Sequence, residues 1–396
     1  MRGYILSLLL IAPLPVFAQD TSDDRGYLEA LLEDNLSSPG AEVDITGFRG
    51  ALSSNATIDQ ISISDADGIW ITLDDVSLIW SRTALLRGHL EVDELTAGEI
   101  RFDRLPLPAE TQLPRAEAPG FALPDLPVSV NLGKLAIDKA VLGEAVMGQD
   151  LTLTLNGSAQ LAAGEGSAEL SIERLDVAGS ALELQAGFAN ATRFLSIDLT
   201  LSEPKDGIVA NLLTLPGAPA VDMKVAGAGP IEDFTADLTL ATDGQPRLTG
   251  TASVKSVAQE PTGETSDGAD APADMAFHAE IGGDLAPLFA PEYRSFFGSD
   301  IRLNADGLRR ADGALQLDQL SLQADAIALQ GQARLSPAGW PELLQFDGQI
   351  AAPKGGPVLL PLSGPETRIE DVRFTLNFDA DRDDSWRLTG RVAGLN

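Results

Sequence analysis

The sequence predicts a mainly β chain: amphipathic strands in an elongated sheet, with a short N-terminal helix and few small helices elsewhere. Three observations carry this. Apolar residues recur at every second position through most of the 396 residues. Turn formers are dense, with 38 Gly and 24 Pro. The hydrophobic share is 44% with only 5% aromatics, enough apolar surface to bury but spread over many short segments.

The chain opens on Met1-Arg2, an apolar run from Tyr4 to Val16, and Val16-Phe17-Ala18 before Gln19-Asp20. This run falls short of the roughly 20 residues that span a bilayer. It reads as a secretory signal cleaved after Ala18, with an uncleaved inner-membrane anchor as the alternative. The first reading places the mature chain free in the periplasm, the second tethers it to the membrane. No later stretch is long and apolar enough to cross a membrane. Asp20 to Leu36 reads as an amphipathic helix capped by Ser22, with Leu28, Leu31, Leu32 and Leu36 on one face and Pro39-Gly40 ending it.

From Glu42 the period becomes two. Val43 and Ile45 alternate with polar neighbours, then Ile58, Ile61 and Ile63 with a slip, then Ile69, Ile71 and Leu73, then Val76, Leu78 and Trp80. A one- or two-turn helix is expected between Ser81 and Gly88. Strands resume at Leu90, Val92 and Leu95 and run to Phe102. Six prolines between 105 and 127 predict an extended linker and a domain boundary.

The second region, 128–255, alternates most cleanly: Leu151, Leu153 and Leu155; Ala168, Leu170 and Ile172; Leu195, Ile197, Leu199 and Leu201. A short helix is expected at Asp206 to Leu213, with strands returning at Leu238 and Leu240, then Leu248 and Ala252. Residues 256–274 are acidic and lack apolar anchors, which predicts a disordered loop. The last region, 275–396, is read as a helix from Leu285 to Phe297. Strands follow around Leu315, Leu320, Ile327, Leu329 and Leu335, and from Val372 through Phe374 and Leu376 to Phe378. A motif of Leu-x-Gly-x-small (or Val) recurs around Gly157, Gly250, Gly331 and Gly390, at intervals too irregular for a strict repeat. The chain stops at Gly394-Leu395-Asn396, directly after such a unit, as expected of a partial product.

The sequence offers no catalytic residue, no cofactor site and no metal site. The formal net charge is -32, from 59 acids against 27 bases, a field that repels nucleic acid and anionic head groups. With no cysteine there is no thiolate ligand or nucleophile. Only His89 and His278 are present, at no metal-binding spacing. Asp65-Ala66-Asp67-Gly68 and the run Asp379 to Asp384 resemble calcium loops but lack required ligand or glycine positions, so both read as solvated hairpin turns. No phosphate loop, nucleophile elbow or dinucleotide fingerprint occurs.

The stretch from Tyr27 to about Pro106 carries a resemblance. It contains Tyr27-Leu28-Glu29-Ala30-Leu31-Leu32, Ile45-Thr46-Gly47-Phe48-Arg49-Gly50, Ser64-Asp65-Ala66-Asp67-Gly68-Ile69-Trp70, Leu78-Ile79-Trp80-Ser81-Arg82 and Leu85-Leu86-Arg87-Gly88. This resembles the N-terminal end of the translocation and assembly module subunit TamB family, in its alphaproteobacterial form, among the wider AsmA-like envelope proteins. It covers about a fifth of the chain; the rest matches in style. The resemblance implies a sheet curled into an open groove, a β-taco, apolar inside and polar outside. It also implies an inner-membrane attachment at the N-terminus and passage through the periplasm to an outer-membrane barrel partner, TamA. The associated roles are protein secretion, outer-membrane protein assembly and phospholipid transport. Family members are longer and end in a domain that contacts the barrel; these 396 residues contain no such domain.

Phospholipid acyl chains are the expected ligand, with Leu151, Leu153, Leu155, Leu170, Ile172, Leu195, Ile197, Leu199, Leu238, Leu240, Ile327, Leu329, Phe374 and Leu376 as groove-lining candidates. Two alternatives stay open: β-sandwiches whose apolar faces make closed cores, and an exported adhesion module on a β-solenoid.

Overall fold

A computed structural model describes residues 42–50, 53–85, 87–107, 123, 129–257, 273–361 and 366–394. The expected signal segment, the helix at 20–36, and most of the Pro-rich and acidic segments lie outside these residues.

The chain is mainly β, with one mixed sheet of 19 strands and a few small helices. The strands are β1 (Glu42–Thr46), β2 (Asn55–Asp65), β3 (Gly68–Trp80), β4 (His89–Phe102), β5 (Ser129–Leu142), β6 (Leu151–Ala162), β7 (Glu165–Arg174), β8 (Ala181–Ala189), β9 (Phe194–Glu203) and β10 (Val221–Pro230). They continue with β11 (Asp233–Thr242), β12 (Gln245–Val257), β13 (Asp274–Gly283), β14 (Ile301–Arg309), β15 (Leu315–Gln323), β16 (Ile327–Leu335) and β17 (Pro341–Ala351). A separate two-stranded piece, β18 (Val358–Leu359) and β19 (Arg368–Ile369), interrupts the series before β20 (Asp371–Asp379) and β21 (Asp383–Ala393).

Each strand of the large sheet pairs with its neighbours in sequence, β17 pairing with β20. All steps are antiparallel except β4 to β5, which is parallel. At about 4.8 Å per step the sheet measures on the order of 85 Å along its hydrogen-bonding direction. The sheet runs unbroken past the Pro-rich segment, because β4 and β5 pair directly from His89↔Ser129 to Phe102↔Leu142. A parallel step needs a long connection, and 26 residues separate the end of β4 at Phe102 from the start of β5 at Ser129.

Alternating strand direction gives the sheet two rims. The first holds the β2–β3 turn, the end of β4, and the connections β5–β6, β7–β8, β9–β10, β11–β12, β13–β14, β15–β16 and β17–β20. Three of the four α-helices among the described residues sit there: α2 (Glu144–Met147), α3 (Ile208–Leu212) and α4 (Arg294–Phe297). Only α1 (Arg82–Leu85), between β3 and β4, lies on the second rim. The expected helix from Leu285 to Phe297 is a correction. Two 3-10 turns, Ala286–Leu288 and Pro291–Tyr293, precede the single turn of α4. Pro287 and Pro291 each withdraw an amide donor and admit only first-turn geometry, so no continuous helix can pass them.

The main core lies under β1 to β6. Val43, Ile45, Phe48 and Ala56 form one buried cluster; Ile71, Val76, Ala97, Ile100, Ile137 and Ala140 form the other, and Ile58, Ile61 and Ile63 touch both. The slip after Ile58 is an insertion on both strands: the register passes from Ile58↔Val76 to Gln60↔Asp74, leaving Asp59 and Asp75 outside the ladder. Asp75 takes φ 54, and Asp59 pairs with Arg49. A third cluster on the first rim packs Phe296, Ala326 and Val358 against Ile327, Ile350 and Leu360.

Candidate functional site

Directly opposed residues in a ladder point to the same face, so the register traces each face across the whole sheet. One row starts at Ala56 and passes Leu78, Leu95, Leu135, Gly157 and Leu170. It continues through Leu184, Leu199, Val225, Leu238, Gly250 and Ile281. Leu303, Leu322, Leu329, Gly348, Phe374 and Gly390 complete it. A parallel row runs from Trp80 through Val92, Leu132, Ala159, Ala168, Ala186 and Ile197 to Phe346, Leu376 and Leu388. No polar side chain interrupts either row.

All 14 candidate residues fall on this face. Leu151 is buried, and the other thirteen are half-buried. Leu155 and Ile172 face each other, as do Leu170 and Leu184 on one side and Leu199 and Leu238 on either flank of Val225. Leu329 and Phe374 flank Gly348 in the first row. Ile327 opens a further short row through Ile350, Val372 and Val392.

The recurring glycines acquire a reason here. Gly157, Gly250, Gly331 and Gly390 all lie on the apolar face. A Cβ on Gly331 would collide with the Phe346 ring, and one on Gly348 with the Phe374 ring. Large side chains lie across their cross-strand glycines, filling gaps that a strand glycine would leave.

The opposite face is polar and laced with weak pairs. Lys224 approaches Asp198 at 3.1 Å, Lys139 holds Glu99 at 3.0 Å, and Thr251 donates to Asp237 at 2.9 Å. Hydrogen bonds from Lys139 and Arg101 hold the Glu99 carboxyl below its usual range. Both histidines sit on this face, His89 against Ser129 and His278 against Asp306 at 2.6 Å. Among the described residues no group of His, Asp and Glu is placed to hold a metal ion. Asp65-Ala66-Asp67-Gly68 forms the β2–β3 turn: Asp65 accepts the Asp67 N–H at 2.9 Å and binds Arg104 through both carboxylate oxygens.

At the first rim the apolar face ends in a polar seam. Its ladder positions are Arg174 at the end of β7, Ser180 opposite it, Glu203 at the end of β9 and Thr242 at the end of β11. Ser180, Glu203 and Thr242 are the buried polar residues among those described. Glu203 Oε2 accepts the Val209 N–H at 2.8 Å, capping α3, which starts after a glycine that offers no side-chain cap. Arg247 donates to Thr242 Oγ1 at 2.7 Å and pairs with Asp284 at 3.0 Å. Arg174, with its side chain 6% exposed, places two donors on Asp176 and keeps that carboxyl below its usual range. Its Nη1 is buried with no hydrogen-bond partner among the described residues. Sequence reasoning missed this seam because Arg174 and Glu203 look like ordinary charges in an acidic chain. The available signal was phase: both share parity with the apolar residues of their strands, Ile172 and Leu201.

Comparison of the chain with protein-family models, with curated proteins and with solved structures returned no match.

Proposed function

We propose that the apolar face is a lipid-binding surface: the sheet curls into an open groove that takes phospholipid acyl chains. The chain then serves as one segment of a TamB-type envelope scaffold. In that role it bridges inner and outer membranes for phospholipid transport and for protein secretion or outer-membrane protein assembly, with no catalytic step of its own.

The observation that carries this reading is the pair of unbroken apolar rows whose side chains stay half-buried along most of the sheet. An antiparallel sheet with one polar and one apolar face needs something against the apolar side. A stacked β-sandwich would supply a second large sheet, yet the other sheet among the described residues is the two-stranded β18–β19. The alternating Leu, Ala and Gly along the rows leave a surface that a flexible hydrocarbon tail can fill. The export-type N-terminal segment and the resemblance at Tyr27 to Pro106 support the envelope setting and partners at both membranes.

The test is native mass spectrometry after gentle purification. Co-purified phospholipid at about one or more molecules per chain supports the groove. A lipid-free chain that also fails to take up a spin-labelled fatty acid overturns it.

A further inference from the structure

The first rim carries exposed apolar residues at every connection from β2 to β10. Ile69 follows the β2–β3 turn, Leu105 and Leu107 follow β4, Met147 lies on α2, Leu175 starts the β7–β8 connection, and Leu212 and Leu213 end α3. Leu212 is 76% exposed and Leu175 54%. From β3 to β10 these positions span on the order of 35 Å of rim. A row of solvated leucines of this length marks a contact surface, since isolated exposed residues scatter.

The same rim holds both buried side-chain donors that lack a partner among the described residues, Trp70 Nε1 and Arg174 Nη1. The Arg174 guanidinium gives Nε and Nη2 to Asp176 and leaves Nη1 as a buried donor among the described residues. Arg174 also stands on the apolar face, two ladder positions beyond Ile172 and opposite Leu153.

Resting on the lipid-groove reading above, we propose that the first rim is the lipid's port and that Arg174 seats a phospholipid phosphate. The headgroup phosphate accepts the free Nη1–H of Arg174. Leu212 and Leu213 meet the glycerol and upper acyl region, and the tails follow Ile172 and Leu153 onto the apolar rows. Asp176 keeps the guanidinium charged and fixed in plane. Free inorganic phosphate satisfies the donor but none of the apolar rim, and the net charge of -32 opposes it. A fatty acid fits the rows but brings no phosphate.

The experiment incubates the full chain with phosphatidylcholine vesicles, with palmitate or with inorganic phosphate, and counts bound molecules per chain by native mass spectrometry. Arg174→Gln is expected to lower phosphatidylcholine occupancy roughly tenfold, the worth of one charge-assisted hydrogen bond, while palmitate occupancy stays within about twofold. Arg174→Lys restores part of the loss. The exposed double variant Leu212→Ser with Leu213→Ser, which leaves buried packing untouched, is expected to lower phosphatidylcholine uptake about fivefold. Equal phosphatidylcholine and palmitate losses in Arg174→Gln, unchanged uptake in the leucine variant, or inorganic phosphate binding as tightly as lipid each overturn the proposal. Wild-type chain that takes palmitate and phosphatidylcholine with both variants silent overturns the port alone. Wild-type chain that takes neither overturns the groove itself.

Discussion

Gly331 shows how much a single position can decide. It lies between Leu320 and Phe346 on the apolar face, and the space of a Cβ is already taken by the Phe346 ring and the Gln345 carbonyl. Backbone cannot yield as a flexible side-chain tip would. Gly331→Ala is therefore expected to destabilise β16–β17 by about 1–3 kcal/mol, the usual cost of overpacking. Chemical denaturation checks this, and a second change, Phe346→Leu, is expected to recover part of the loss by clearing the clash. Asp65 offers the acidic counterpart. Hydrogen bonds from Arg104, with smaller help from the Leu107 and Asp67 amides, hold its carboxyl well below the usual carboxylate range. A depressed folded-state pKa contributes stability that is present above the unfolded value and lost as pH falls through the folded one. The clamp should thus survive ordinary mild acid and fail only below the usual carboxylate range. Asp65→Asn should behave at neutral pH as the wild type does in strong acid, with the chain after Phe102 released. Limited proteolysis near Leu105 and Leu107 measures that release, and cleavage no faster than wild type would refute the clamp.

At the scale of elements, α3 depends on a residue outside it. Its N-cap is Gly207, which has no side-chain oxygen, and Glu203 at the end of β9 provides the acceptor for Val209. Glu203→Ala is expected to cost about 1–2 kcal/mol, the range for lost helix caps, and to raise amide exchange at Val209 and Asn211 ahead of the strands. If β9 and α3 exchange together at an unchanged rate, the cap is not what holds the helix. Elements of this kind divide by how far their cause lies in sequence. The strands β6, β7 and β9 were legible because Thr, Ser and acids hold the polar phase without error between Leu, Ile and Ala. The helix at Ile208–Leu212 falls within the short helix expected from Asp206 to Leu213. Residues 285–297 were misread because apolar spacing suggested a helix while Pro287 and Pro291 limited it to single turns. The continuity of β4 with β5 could not be read at all, since a parallel pairing across some 26 intervening residues leaves no local pattern. The shared face of the 14 groove candidates was legible for each strand and not between strands, because register is set by pairing. Arg174 and Glu203 stayed hidden for the same reason: only the assembled ladder puts them in one row.

The whole sheet has two properties that follow from its connectivity and charge. Like charges repeat on the polar face: Asp198, Asp237 and Glu280 occupy one row at alternate strands, with only Ala226 and Thr251 between them. Carboxylates two strands apart sit about 10 Å from each other, within one Debye length at low salt. With a net charge of -32, repulsion outweighs the scattered cross-strand pairs, whose individual worth is small. Raising sodium chloride from about 0.01 to about 0.5 M is therefore expected to raise Tm, and a fall would mean that the ion pairs dominate. Connectivity sets the second property. Every large-sheet strand packs against its neighbours in sequence, and β1 and β21 do not pair with each other. Stability in such an array is close to a sum of neighbour terms, so segments can open without the rest. The buried clusters under β1 to β6 add apolar burial that the middle strands lack, where most rows stay half-buried. Hydrogen exchange should then be graded: slowest in β3 to β5, faster through β7 to β12, with β14 to β17 intermediate because the cluster around Phe296 and Val358 pins their first-rim ends. Bound lipid would cover the half-buried rows and slow the middle strands most, flattening the gradient. A single exchange rate across all strands, with or without phosphatidylcholine vesicles, would show a cooperative closed core in place of an open face, and the lipid surface would lose its physical basis.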